Sequence, residues 1–145
     1  MTPPYRYLEE IATADVAFEA WGATPEETFL AAADATLNTM VEEIGTVAQR
    51  EHREISVVAG GFDLLLFEFL QEIVYHKDAE RLLLRIRELR IEEAGSGYRL
   101  HAEAIGETID PARHPLLADV KAVTLHRLSV EKTPSGWRAV VVLDV

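Results

Sequence analysis

Apolar positions recur at helical spacing in two stretches of the chain. Phe29, Ala33, Leu37, Met40 and Ile44 follow Thr24-Pro25-Glu26-Glu27. That tetrapeptide is a capping box with proline at the first helical position, and Gly45 is a plausible stop. The second stretch starts near Asp63 as N-cap, with Phe62 and Phe67 at the two positions of a hydrophobic staple. Leu66, Phe69, Leu70, Ile73 and Val74 form its broad apolar face, opposite Glu68, Gln71 and Glu72.

The remaining pattern predicts strands. Residues 16–21 and 54–58 are short and β-rich. Residues 82–93 and 98–107 flank Gly95-Ser96-Gly97 and predict a hairpin, although the Leu and Arg content of 82–90 also suits a helix. Residues 120–132 and 137–145 flank Thr133-Pro134-Ser135-Gly136 and predict a second hairpin. The order strand, helix, strand, helix, four strands is not a regular βαβ alternation. It predicts an α+β fold in one two-layer domain over residues 1–145, with two helices packed on a mostly antiparallel sheet. Residues 108–118, with two prolines and no periodicity, form a long loop that reads either as functional or as a rigid crossover.

Composition narrows the function classes. The formal net charge of -11 disfavours a basic patch that grips phosphates unaided, so stable direct nucleic-acid binding is not expected. It suits solubility, cation binding or docking on a basic partner. The absence of cysteine excludes disulfides, thiolate catalysis and zinc–cysteine sites. The start lacks the charged-then-apolar pattern of a leader, and no apolar run approaches a membrane span, so a cytoplasmic protein with no membrane association is expected.

The candidate chemistry is acidic. The strand 139–145 is apolar on both faces until Asp144, which predicts a central, covered strand ending in a carboxylate. The sequence ends one residue later, so the α-carboxylate of Val145 would add a second negative group. Adjacent carboxylates call for a cation, and oxygen ligands favour calcium or magnesium; a solvated terminus explains the same residues. Asp15, before Val16-Ala17-Phe18, either opens a strand-side turn or pairs with Asp144 at one rim. Lys121 stands at the uncharged start of Val120-Lys121-Ala122-Val123 and reads as functional or as a snorkelling lysine. His114 lies in the long loop, and His126 is placed in a strand, where a satisfied structural histidine is the commoner case. Glu72 and His76, four apart, could share a metal. Metalloprotease, EF-hand, Walker and nucleophile-elbow patterns are missing. A metal-dependent hydrolase built on Asp15 and Asp144 is therefore disfavoured, since no base or nucleophile is placed.

Several blocks resemble the archease family: Thr13-Ala14-Asp15-Val16, Ala20-Trp21-Gly22, Thr24-Pro25-Glu26-Glu27-Thr28-Phe29, Asp63-Leu64-Leu65-Leu66 with Leu70-Gln71-Glu72, Gly106-Glu107, His114, Val120-Lys121-Ala122-Val123-Thr124-Leu125-His126, and the ending Val141-Val142-Leu143-Asp144-Val145. The resemblance spans nearly the whole chain. It implies an accessory protein, not an enzyme, whose partner is an RtcB-type RNA ligase, which joins RNA ends with GTP and manganese in tRNA splicing or repair. The accessory protein would speed ligase guanylylation and sustain turnover. The resemblance also implies a divalent-metal site, of the calcium class, at Asp15, Asp144 and Val145, and functional roles for Lys121, His114 and His126. A chaperone-like modulator of nucleic-acid enzymes is the alternative. Two positions depart from the family pattern: Ala12, where histidine is common, and the Ala59-Gly60-Gly61-Phe62-Asp63 loop, where an acidic residue is commoner near Gly61.

Overall fold

Both predicted turns close antiparallel hairpins in the computed structural model, which describes residues 2–9 and 15–145. The elements are β1 (Tyr5–Leu8), β2 (Asp15–Gly22), α1 (Pro25–Met40), a 3-10 turn (Ile44–Thr46), β3 (Glu51–Ala59), α2 (Phe62–Glu80), β4 (Leu82–Ala94), β5 (Gly97–Thr108), β6 (Ala122–Val123), β7 (Ser129–Thr133) and β8 (Gly136–Asp144). The expected α+β architecture is present. Its strands divide into two antiparallel sheets, one ordered β1-β2-β8-β6 with β7 also on β8, the other ordered β3-β5-β4. Both helices touch strands of both sheets. Among the described residues, no helix is long and apolar enough to cross a membrane.

The first helix starts as the capping box predicts. The Glu27 N–H donates to Thr24 Oγ1 at 3.2 Å, and Pro25 occupies the first turn. Small residues let it be buried on most sides: Ala32, Ala35 and Thr36 are as inaccessible as Phe29 and Leu37. It ends at Met40, earlier than the apolar periodicity through Ile44 suggests. Asn38 is the reason: its Nδ2 donates to the carbonyls of Val41 and Glu42 at 3.0 and 2.9 Å and turns the chain away. The last carbonyls are taken by the later loop, through Leu117 N–H to Met40 O at 2.9 Å and Ala118 N–H to Thr39 O at 3.2 Å.

The second helix begins two residues before the expected position. Gly61 is the N-cap, with no side-chain cap, and Asp63 lies inside the first turn. Phe62 is therefore not a staple residue. Its ring stacks on Tyr98 at 4.2 Å and meets Trp137 edge-on at 5.3 Å, which holds the helix start against both sheets. Leu65, Leu66, Phe69, Leu70, Ile73 and Val74 are buried. His76 Nδ1 pairs with Glu80 at 2.5 Å, not with Glu72.

The strand expected over 120–132 is a single line along one edge of β8 that breaks between β6 and β7. Thr124 causes the break: its Oγ1 donates to Val142 O at 3.0 Å and accepts the His126 N–H at 3.2 Å. That side-chain bond competes with the ladder and turns the backbone, and Arg127 takes φ 56°. His126 is thus on an exposed turn, not in a strand.

At the centre of the second sheet, Gly106 faces Glu51 and Leu84, and a Cβ there would overlap the carbonyl oxygen of Leu83. Since the obstacle is backbone, relief requires the strands to part. Gly106→Ala is expected to cost about 3 kcal/mol in denaturant unfolding, the upper end of overpacking penalties; a loss under about 1 kcal/mol would show that the two strands separate easily.

Candidate metal and partner-binding edge

β8 has the apolar content of a covered strand, and Val141, Val142 and Leu143 are fully buried. Its last residue, Asp144, faces Asp15 on β2 and Ala122 on β6. Direct cross-strand partners project from the same face of a sheet, with Cβ atoms about 5 Å apart. Register alone therefore brings the two carboxylates together, although 129 positions separate Asp15 from Asp144 (144 − 15). Both are half-buried. Among the described residues, neither carboxylate is engaged by a side-chain cation or donor. Like charges directly opposite destabilise a strand pair, so this site has reason to hold a cation, and an all-oxygen pair suits a hard one. Among the described residues, no set of three or more acidic or histidine side chains converges as a complete metal cluster.

Lys121 meets the same edge through its backbone, its N–H donating to Asp144 O at 2.8 Å. Its side chain lies beside α2, lining an open depression of about 380 Å³ with Gln71, Val74, Tyr75, Asp78 and Ala79. Val145 continues β8 and packs against the core. Four of the six sequence-derived residues thus gather at one sheet end: Asp15, Lys121, Asp144 and Val145. Ala12, Thr13 and Ala14 lie outside the described residues.

The two histidines do not join them by any hydrogen bond. His126 stands on its exposed turn. His114 is buried inside the loop that follows β5. Its Nδ1 accepts the Asp110 N–H at 2.8 Å, so its proton lies on Nε2, which donates to Glu107 at 2.7 Å. Glu107, also buried, further accepts the Ala48 N–H at 2.9 Å and pairs with Arg113 and Arg50. These partners, the Ala48 N–H foremost, hold its pKa below the ordinary carboxylate value despite burial. This network makes the loop a fixed crossover, pinned again by the Val41–Leu116 bridge.

Two side-chain contacts of the edge have no counterpart in the sequence expectations, which place Gln71 only on the polar side of its helix and do not single out Lys77. Gln71 Oε1 accepts the Val123 N–H at 2.7 Å. Lys77 is buried, with Nζ donating to Asp119 Oδ1 at 2.6 Å and Val120 O at 2.7 Å and reaching Asp78. Burial lowers its pKa, but the two carboxylates outweigh that and leave it raised. A signal existed: Lys77 follows Leu70, Ile73 and Val74 at helical spacing, so it sits on the buried face.

These features define an α+β domain whose candidate chemistry is gathered where β2, β6 and β8 meet. The model of the archease protein family matches residues 5–145. A protein archease of Pyrococcus abyssi is 38% identical over 134 residues, covering 92% of this chain and 94% of that protein. One from Methanosarcina acetivorans is 37% identical over 144 residues, covering 97% and 95%. The solution structure of Methanobacterium thermoautotrophicum protein 1598 superposes with a TM-score of 0.85 at 29% identity, covering 99% of this chain and 100% of that one. The crystal structure of a Thermotoga maritima archease, described as a possible chaperone, shares the fold with a TM-score of 0.61 at 19% identity, covering 95% and 97%. The chain belongs to the archease family.

The Glu107 network gives a pH prediction. Its lowered pKa contributes stability that is present above the unfolded-state value near 4.3 and lost as pH falls through the folded one. Glu107→Gln should lower unfolding free energy by about 2 kcal/mol at pH 7, the size of a charged hydrogen-bond loss. The deficit should shrink as pH falls below about 4.3 and vanish only once the lowered folded-state pKa has been passed. A deficit independent of pH in urea titrations would mean that charge is not what Glu107 contributes.

Proposed function

We propose that this chain is an accessory protein that activates an RtcB-type RNA ligase, promoting guanylylation of the ligase and so its multiple turnover. The observation that carries the reading is the register Asp15–Asp144 with the Lys121 N–H bonded to the Asp144 carbonyl. It gives one acidic end beside one exposed lysine, in a chain of net charge -11. An enzyme that handles RNA presents cationic surface, and an acidic tip is steered to it.

Asp15 and Asp144 supply two oxygen ligands for a divalent cation, of the calcium class, and an oxygen of Val145 lies next in the chain. Water or partner oxygens complete such a set, since hard cations take six or more ligands. When bound, the cation supplies neutralisation of the carboxylate pair and a local positive centre. The chain's own residues do the rest. The two aspartates fix the cation at the sheet end, the bond from the Lys121 N–H to the Asp144 carbonyl holds the Lys121 backbone at the same strand end, and the Lys121 ammonium, on the α2 side, offers a point charge to phosphate or carboxylate on the ligase. The protein's part is presentation of charge, not bond-making. His126, exposed on its turn, is a contact residue in this reading, and His114 acts by fixing the loop. A general chaperone-like modulator is the alternative, distinguished by indifference to Lys121 and to the carboxylate pair.

In multiple-turnover RNA joining with substoichiometric ligase, wild type should raise the number of turnovers. Lys121→Ala should lower that stimulation by about tenfold, as loss of one well-placed charge does, while folding normally. Full stimulation by folded Lys121→Ala would remove Lys121 from the mechanism. The cation is tested apart from the ligase. Calcium at a hundred times its dissociation constant should stabilise wild type by about 2.7 kcal/mol in melts against EDTA. The same stabilisation in Asp144→Ala would place the cation elsewhere.

A further inference from the structure

Residues 115–123 form a strap between α1, α2 and β8. Its first half is held by backbone bonds: Glu42 N–H to Pro115 O at 2.8 Å, Leu117 N–H to Met40 O and Ala118 N–H to Thr39 O. Its far end is held by Lys121 N–H to Asp144 O and Val123 N–H to Gln71 Oε1. Between these ties, at Asp119 and Val120, the hold comes from one side chain. Lys77 Nζ reaches the Asp119 carboxylate and the Val120 carbonyl from beneath, and Asp78 takes its remaining donor. An ammonium has three donors, and all three are used.

A buried lysine is costly unless it is paired, and removing a partner from such a pair leaves the charge uncompensated. A leucine at this position would fill the space beside Leu70, Ile73 and Val74 without that risk. What leucine would not do is bond the residues immediately before Lys121. The ammonium bonds the carbonyl of Val120, whose side chain is fully buried in the core, and the next residue, Lys121, is exposed and lines the α2 depression. The Lys121 amide is then set against Asp144.

We propose that Lys77 is a positioning residue for the ligase-activating lysine: it clamps Asp119 and Val120 on α2 so that Lys121 is presented at a fixed place on the α2 side of the strand end that carries Asp15 and Asp144. The proposal rests on the ligase reading above. Lys77 touches no partner itself; it acts through Asp119 and Val120. A small displacement of a reacting or recognising group costs far more than the contact that held it.

The test compares Asp119→Ala, Asp119→Asn and Lys77→Met with wild type, in the full chain, by two measurements. One is amide hydrogen exchange over residues 119–123. The other is RNA joining by the ligase. The Asp119 side chain is 69% exposed, so its variants retain the fold even where Lys77→Met does not. Asp119→Ala should speed exchange at Lys121 by about tenfold, as a local opening made easier would do. It should also lower joining stimulation by about tenfold. Asp119→Asn keeps an acceptor oxygen for Lys77 and should stay within about twofold of wild type in both. In a Lys121→Ala background, Asp119→Ala should change joining no further, because the two act through one group.

Faster exchange with undiminished joining would overturn the proposal. So would unchanged exchange, or an equal further loss in the Lys121→Ala background. If wild type itself fails to stimulate the ligase, the ligase reading falls. Exchange at Lys121 then decides the clamp alone: faster in Asp119→Ala upholds it, unchanged removes it.

Discussion

Everything at the candidate site depends on the ladder between β8 and its neighbours. β8 pairs with β2 along one edge and with β6 and β7 along the other, so it is the strand that the first sheet cannot lose. A slip of one residue in an antiparallel pair sends every side chain to the opposite face. Register is held here by burial: Ala139, Val141 and Leu143 face the core, and none can be moved to the other face cheaply. The same register sets Asp15 against Asp144 and Ala122 against Asp144. Core packing therefore determines the geometry of the acidic pair, and no local motif is needed to build it.

This explains which parts of the molecule were legible in the sequence. Elements with strong local signals are where they were expected: the Thr24 cap, the Gly95-Ser96-Gly97 hairpin and the apolar last strand. The helix-like composition of 82–90 gave way to a strand because Leu82, Leu83 and Leu84 pair with β5 and are buried there. Where local and tertiary preferences competed, tertiary contacts won. Phe62 entered α2 to stack on Tyr98; the end of α1 before Ile44 is instead local, set by the Asn38 side chain on the carbonyls three and four residues on. The short β1 carries no pattern of its own and exists as a partner for β2. Division of the strands into two sheets follows from which edges meet, and hydrophobic period does not encode that.

At the candidate site, the expected strand-end pairing of Asp15 with Asp144 is present in the register, and the Lys121 and Val145 backbones lie at the same sheet end, a neighbourhood that the sequence pattern does not encode. His126 was misplaced because Thr124 breaks the strand with its own hydroxyl. His114 lies in the expected loop, where it supports Glu107. Lys77 was overlooked because a lysine after Tyr75-His76 reads as surface unless the helical face is followed to its end. Two buried charges, Glu107 and Lys77, thus fasten opposite ends of the 108–121 segment, one to the strand before it and one to α2.

The most direct measurement is the rate at which an RtcB-type ligase forms its guanylate intermediate, from GTP and divalent metal, with this chain present. Wild type should accelerate that step. A folded variant carrying Asp15→Asn and Asp144→Asn keeps the shape and the strand register but loses both negative charges. It should leave the rate at that of the ligase alone. Equal acceleration by wild type and the double variant would contradict the central claim, that paired carboxylates at the end of β8 are what the ligase responds to.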